Sequence, residues 1–120
     1  MLTLQKINYI VEDKIKYIKK TNLENSITSF FKKNKNLEKN SIILSMIYFK
    51  RYVDNKGIIN DRNLIDIILT SILLSNKILI DENVKGTTKN EILFLETINW
   101  YLFVSEEEFY SFSSKYHHFL

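Results

Sequence analysis

Turn-forming residues are almost missing from this chain of 120 residues, and their scarcity constrains the fold more than any other feature. Proline does not occur, and glycine occurs only at Gly57 and Gly86. A sheet-rich fold needs many turns with positive φ, which glycine adopts most easily, although the numerous asparagines could serve some of them. Long helices joined by a few loops need far fewer such residues. The sequence therefore predicts an all-α fold.

Apolar residues at spacings of three and four predict where the first helices lie. An amphipathic N-terminal helix covers 2–19, with apolar positions at Leu4, Ile7, Val11, Ile15 and Ile18. A short second helix follows, which Asn25 or Ser26 caps and which ends in "KKNKN". A third helix opens near Glu38 and contains "SIILSMIYFKRYV".

The second half of the chain predicts three more helices. The fourth runs from about Asn60 to Lys77 or Ile78 and is apolar nearly all round, which is typical of a helix surrounded by others. Thr87 or Thr88 caps the fifth, and the last starts after Ser105, where "SEEE" is a capping box with acidic residues in the first turn. The core positions predicted for the fifth helix are Ile92, Phe94, Leu95 and Ile98.

Two pairs of serines suggest how the central helices pack. Ser41 and Ser45 lie four apart in the third helix, as do Ser71 and Ser75 in the fourth. Small residues at this spacing form a shallow strip that another helix can approach closely, so the two strips predict a helix crossing. The alternative is that these hydroxyls only bond to the carbonyls four residues earlier in their own helix.

Composition and charge bound the class of protein. The length fits one domain, and without cysteine no disulfide or thiolate chemistry is available, which favours an intracellular location. The most apolar stretch, 64–80, is interrupted by polar residues and predicts a core helix, not a membrane span. Residues 1–60 carry a net charge of +7 and residues 61–120 carry −4. Because the lysines are scattered without interleaved aromatics, a solvated surface is a better interpretation than nucleic-acid binding.

No catalytic, cofactor, metal or small-molecule site is expected. There is neither a glycine-rich phosphate loop nor an HExxH motif. His117 and His118 are adjacent near the end of the sequence, so they cannot share a helix face as metal ligands four residues apart would. The run Glu106–Glu108 is better explained by the helix dipole than by paired catalytic carboxylates.

The order of these segments resembles a cyclin box, a five-helix fold, from about Ser26 to Phe112. "SIILSMIYFKRY" is similar to the second box helix with its Tyr-x-x-Arg motif, and "LTSILLSNK" to the third, which usually ends Ala-Ser-Lys. "NEILFLETINWYLFVSEEEF" resembles the fourth helix and the entry to the fifth. The resemblance divides the chain into an N-terminal helix (1–22), a cyclin box (23–115) and a tail (116–120).

Among cyclins, the chain most resembles the short P/U-type linked to phosphate-responsive kinases. "SITSFFKK" resembles their first helix, with Lys33 where an arginine is usual. The family's Asn-x-His-Arg before the third helix is reduced to Asn63, and the loop between Lys77 and Glu91 is shorter than is typical and keeps only Gly86.

The resemblance implies a partner and the residues that bind it. In cyclins the lysine that ends the third box helix and the glutamate early in the fourth contact the backbone of a cyclin-dependent kinase at the start of its mobile C helix. Lys77 and Glu91 match these two positions. The alternative for Lys77 is that it only complements the negative end of its own helix. The resemblance also assigns an apolar pocket for an isoleucine-type side chain of the kinase to Leu74, Ile78, Leu95 and Leu102, for which a plain core role is the alternative.

These matches imply a non-catalytic regulator that activates a kinase in the nucleus or cytoplasm. Two other interpretations stay open at this point. One is a nucleic-acid or transcription-factor module, because cyclin-like boxes also occur in general transcription factors of the IIB type. The other is a helical interaction protein with no kinase partner.

Overall fold

The computed structural model describes residues 2–15, 21–34, 36–60, 62–80 and 89–119. Within these ranges all regular secondary structure is helical, which confirms the all-α class. The elements are α1 (Leu4–Ile10), α2 (Thr21–Lys33), α3 (Lys39–Asp54), α4 (Leu64–Ile80), α5 (Lys89–Thr97), α6 (Glu106–Tyr116) and a 3₁₀ turn (His117–Phe119). None of the described helices has the length and apolar character needed to cross a membrane.

The first helix is much shorter than predicted. After α1 the backbone turns with positive φ at Glu12 and Asp13, 59° and 61°. The Asn8 side chain stabilises this turn, because its Oδ1 accepts the Ile15 N–H at 3.0 Å. Val11 and Ile15 are still buried. The predicted apolar positions up to Ile15 are therefore buried, but Val11 and Ile15 lie in a turn and not in a helix. The predicted position Ile18 lies outside the described residues.

Other helix boundaries differ in smaller ways. α2 starts at Thr21, so Asn25 and Ser26 lie inside it and do not cap it; the buried Leu23 shows that its first turn already packs on the core. The predicted cap of α5 lies outside the described residues. α3 begins after Glu38, as predicted.

The fourth helix also starts later than predicted, at Leu64. Asn60 precedes it, and its side-chain oxygen accepts the backbone N–H groups of Arg62 and Asn63 at 2.9 and 3.1 Å. This turn uses the asparagine to satisfy backbone donors ahead of the helix. α4 ends at Ile80, so Lys77 lies within its last turn and does not close it.

Helices α3 and α4 form the centre of the molecule and share its most extensive helix contact. The four serines are buried in both helices. Three of them donate to carbonyls three residues earlier in their own helix, whereas the Ser41 hydroxyl bonds to Asn76 across the crossing. The predicted crossing of the two helices is therefore present. Three of the serines also bond within their own helix, but to carbonyls three residues earlier and not four.

The prediction that α4 is surrounded on all sides is wrong for its second half. Leu73, Ile78 and Leu79 are 49%, 42% and 45% exposed. α4 contacts α3, α5 and α2, and these neighbours cover only part of its circumference. An apolar strip on the central helix consequently faces solvent.

The last helix packs back towards the first. The Tyr9 ring of α1 meets Tyr116 and Phe119 edge-on, with centroids 6.3 and 5.5 Å apart. Lys6 Nζ donates to the Phe119 carbonyl at 3.3 Å. The described part of the segment predicted as a tail is therefore held against α1, while the two histidines between these aromatics are exposed.

Candidate protein-binding site

An ion pair joins the last turn of α4 to the first turn of α5. Lys77 Nζ lies 2.7 Å from Glu91 Oε2. α5 begins at Lys89, so Glu91 lies in its first turn, at the end of the helix that adjoins the last turn of α4. The structure thus brings together the two charged residues that the sequence assigned to one site.

The two members of this pair differ in access to solvent. The Lys77 side chain is 21% exposed, whereas that of Glu91 is 3% exposed. An ammonium has three donors and no acceptor, so Lys77 can bond to Glu91 and still offer donors to carbonyl groups of a partner. Glu91 therefore serves to hold the lysine, and Lys77 is the accessible member.

The four aliphatic residues assigned to a pocket divide into two groups. Ile78 and the half-buried Leu102 line one cavity of about 330 Å³ between α4 and the start of α6. We call this cavity the α4–α6 groove; its lining includes Leu44, Tyr48, Ile78, Leu102, Val104 and Phe109. Leu74 and Leu95 are each 6% exposed and belong to the core. The structure therefore shows these two leucines in the core, as the alternative to a pocket role expects.

The two helices that carry the ion pair also carry exposed apolar side chains. Leu73 lies one helical turn before Lys77 on the same face of α4, and on α5 Ile92 and Leu93 are 39% and 51% exposed. The core role predicted for Ile92 is therefore wrong. Phe94 and Leu95 of α5 are buried as predicted, and so is Ile98 just after the helix. Exposed apolar surface with a partly buried ion pair among it is typical of protein-binding surfaces.

Tyr48 lines the groove, and Arg51 bonds to the segment that carries Leu102; the sequence did not reveal these roles although the motif was visible. The Tyr48 hydroxyl donates to the Leu102 carbonyl at 2.8 Å. Burial raises the pKa of the Tyr48 phenol to about 12, while the nearby Arg51 charge acts against that rise. Arg51 bonds to the neighbouring carbonyls of Tyr101 and Phe103. Spacing along α3 showed that the two residues share a face, but not which distant segment that face meets.

The candidate site consists of one ion pair and a set of apolar side chains. Among the described residues, no group of three His, Cys, Asp or Glu side chains is arranged to hold a metal ion. The predicted roles in kinase binding rest on the sequence resemblance and stay predictions for all six residues: Lys77, Glu91, Leu74, Ile78, Leu95 and Leu102. Comparison of the chain with protein-family models, with curated proteins and with solved structures finds no match.

Proposed function

We propose that this chain is a cyclin-like regulatory subunit that binds and activates a cyclin-dependent protein kinase by holding the kinase C helix in its active position. In this proposal α2 to α6 form a single cyclin box and α1 precedes it. The observation that carries the proposal is the Lys77–Glu91 ion pair at 2.7 Å, with Lys77 directly before Ile78, which lines an apolar groove. The order of the sequence motifs supplies the identity of the partner.

The groove and the ion pair would bind different parts of the same kinase element. Ile78 and Leu102 offer an apolar wall to an aliphatic side chain. Lys77, in the adjacent position of the helix, offers ammonium donors to backbone carbonyls at the start of the kinase helix. A central apolar anchor with one charged contact beside it is a common arrangement of binding energy in interfaces.

Activation would follow from selective binding. In a free kinase the C helix swings away, and its glutamate is then separated from the lysine that binds the ATP phosphates, a pair required for phosphoryl transfer. A subunit that binds the inward position more tightly shifts the population towards it. Moving such a switch from mostly inactive to mostly active needs a difference in binding free energy of roughly 5 kcal/mol.

Affinity purification of the tagged full chain from the cells that make it tests the proposal. We expect a protein kinase to be recovered whose phosphotransfer activity rises when the chain is added back. Ile78→Asp is expected to abolish this recovery because it places a charge in the apolar groove. The matched control is Ile58→Asp, since Ile58 is 75% exposed on the loop before α4. That loop lies near the first turn of α4, roughly 20 Å from Ile78 by the helical rise.

The ion pair needs a paired substitution. A single Lys77→Glu would place a second carboxylate against the buried Glu91 and destabilise the fold. The double variant Lys77→Met, Glu91→Gln removes both charges together, so a loss of kinase recovery at unchanged melting temperature reports on binding. Full recovery with both groove and ion-pair variants would contradict the proposal. Recovery of nucleic acid in place of a kinase, lost steeply with added salt, would favour the transcription-factor alternative.

A further inference from the structure

Three successive carbonyl groups between α5 and α6 are bonded by two side chains of α3. Arg51 Nη1 and Nη2 donate to the carbonyls of Tyr101 and Phe103, each at 2.8 Å. The Tyr48 hydroxyl donates to the carbonyl between them, that of Leu102, at 2.8 Å. The segment 101–105, which we call the α5–α6 linker, is neither helix nor strand. Side chains of α3 thus take the place of regular backbone pairing for this segment.

The Arg51 guanidinium is also fixed from its other sides. Its Nη2 lies 2.9 and 3.0 Å from the two carboxylate oxygens of Glu108 in the first turn of α6. The Tyr101 ring stacks against it, with the guanidinium carbon 4.3 Å from the ring centroid. The Arg51 side chain is only 14% exposed. A planar group with five donors can serve several acceptors in fixed directions, which a lysine cannot do.

This fixation decides which linker side chains reach the groove. Tyr101 and Phe103 are 54% and 68% exposed, whereas the intervening Leu102 and the following Val104 are half-buried and line the groove. A non-helical segment whose side chains alternate in this way turns one set outwards and the other inwards. A rotation of the linker would take Leu102 out of the groove and replace it with an outward residue.

We propose that Arg51 is the positioning residue of the α4–α6 groove: it holds the α5–α6 linker in the one arrangement that directs Leu102 and Val104 inwards. Arg51 itself contacts no partner in this account. Its effect on kinase binding rests on the proposed function, but its effect on the linker does not. The two can therefore fail separately.

A spin label on the linker tests the positioning role. The chain has no cysteine, so Phe103→Cys creates a single thiol for a nitroxide on an outward side chain. In the otherwise native chain we expect the spectrum of an immobilised label. In Arg51→Lys, which keeps the charge but loses the fork, we expect the sharp lines of a loop that moves on the ps–ns timescale. Arg62→Lys, at an exposed residue of the loop before α4, is the matched control and should leave the spectrum unchanged.

Circular dichroism at the same temperature separates positioning from general stabilisation. The proposal requires mobile linker spectra while the helical signal of Arg51→Lys stays intact, well below its melting temperature. An immobile label in the folded variant, or mobility that appears only as the helices melt, would overturn it. If Arg51→Lys does not fold, Glu108→Gln removes the carboxylate that holds the guanidinium and should loosen the label in part; an immobile label there overturns the proposal equally.

Kinase recovery then distinguishes the two proposals. With both correct, Arg51→Lys weakens kinase binding about tenfold, and Ile78→Asp abolishes it. Increased label mobility with no kinase recovered by any variant would support the positioning role and contradict the proposed function. Kinase binding that is equally tight for Arg51→Lys and the native chain, despite a mobile label, would show that the linker arrangement does not matter and would overturn the inference.

Discussion

Tyr48 connects α3 to the α5–α6 linker through one hydrogen bond. Its phenol is buried, and the hydroxyl donates to the Leu102 carbonyl. Burial disfavours the charged phenolate and raises the pKa of this group to about 12, against the opposing effect of Arg51. A phenol in the unfolded chain titrates near 10. The Tyr48 phenol therefore holds its proton more tightly in the folded state than in the unfolded chain.

This difference in pKa predicts a loss of stability in alkali. The contribution of the neutral phenol is fully present below about pH 10 and is lost as the pH rises towards 12. Relative to Tyr48→Phe, the free energy of unfolding of the native chain should fall by up to about 1.4 kcal/mol per pH unit across this window. Urea unfolding of both proteins between pH 8 and 12 measures it. A constant difference between the two proteins across that window would contradict the burial of this hydroxyl in the folded state.

At the scale of single residues, the contact between two charged side chains was easier to predict than the burial of individual aliphatic side chains. Lys77 and Glu91 were assigned to one site by resemblance, and they are in contact. Leu74 and Ile78 are both aliphatic and one helical turn apart, yet one is 6% and the other 42% exposed. Which turn of a helix runs past its neighbours depends on the lengths of those neighbours, and apolar spacing does not contain that information.

The packing of α3 on α4 depends on the small residues between them. Ser71 is fully buried, and its hydroxyl bonds to the Ile68 carbonyl of its own helix. Ser71→Ala keeps the close approach and should change the free energy of unfolding by less than about 1 kcal/mol. Ser71→Leu should lower it by about 1–3 kcal/mol because the helices must move apart.

Thermal or urea unfolding of these variants gives the answer. Ser114→Leu is the matched control, since Ser114 is exposed on α6, and it should shift stability by no more than about 0.5 kcal/mol. Equal effects of leucine at Ser71 and at Ser114 would show that the α3–α4 approach is not close. The serine spacing allowed this crossing to be predicted from the sequence alone.

The end of α1 shows where prediction at the level of elements fails. Val11 and Ile15 are spaced as in a helix, and both are buried. The backbone between them is nonetheless a turn, because the Asn8 side chain accepts the Ile15 N–H. An asparagine that bonds to the backbone competes with the helix, and the apolar pattern is the same in either case. The capping box at Ser105 was predictable for the opposite reason: its hydroxyl accepts the Glu108 N–H at 3.1 Å, a contact local in sequence.

At the scale of the whole molecule, the net charge differs between the two halves of the sequence, and no residue of α1 lines the groove. The first sixty residues carry +7 and the last sixty −4. The groove draws its exposed aliphatic residues from the second half, where α4 and the α5–α6 linker meet. α1 packs instead against the end of α6 and the turn that follows it, through Tyr116 and Phe119. This arrangement fits a partner that binds through an apolar anchor at one surface, in keeping with the proposed kinase contact.

Photo-crosslinking from the groove tests that contact most directly. A benzoylphenylalanine in place of Ile78, in the full chain mixed with the co-purified kinase, reacts only with groups that enter the groove. We expect a crosslinked peptide from the kinase C helix, which is absent when the kinase is omitted. The same group in place of exposed Ile58 should form no crosslink to that helix. A crosslink to another part of the kinase, or none from Ile78 while the complex stays intact, would contradict the assignment of this groove as the kinase-binding site.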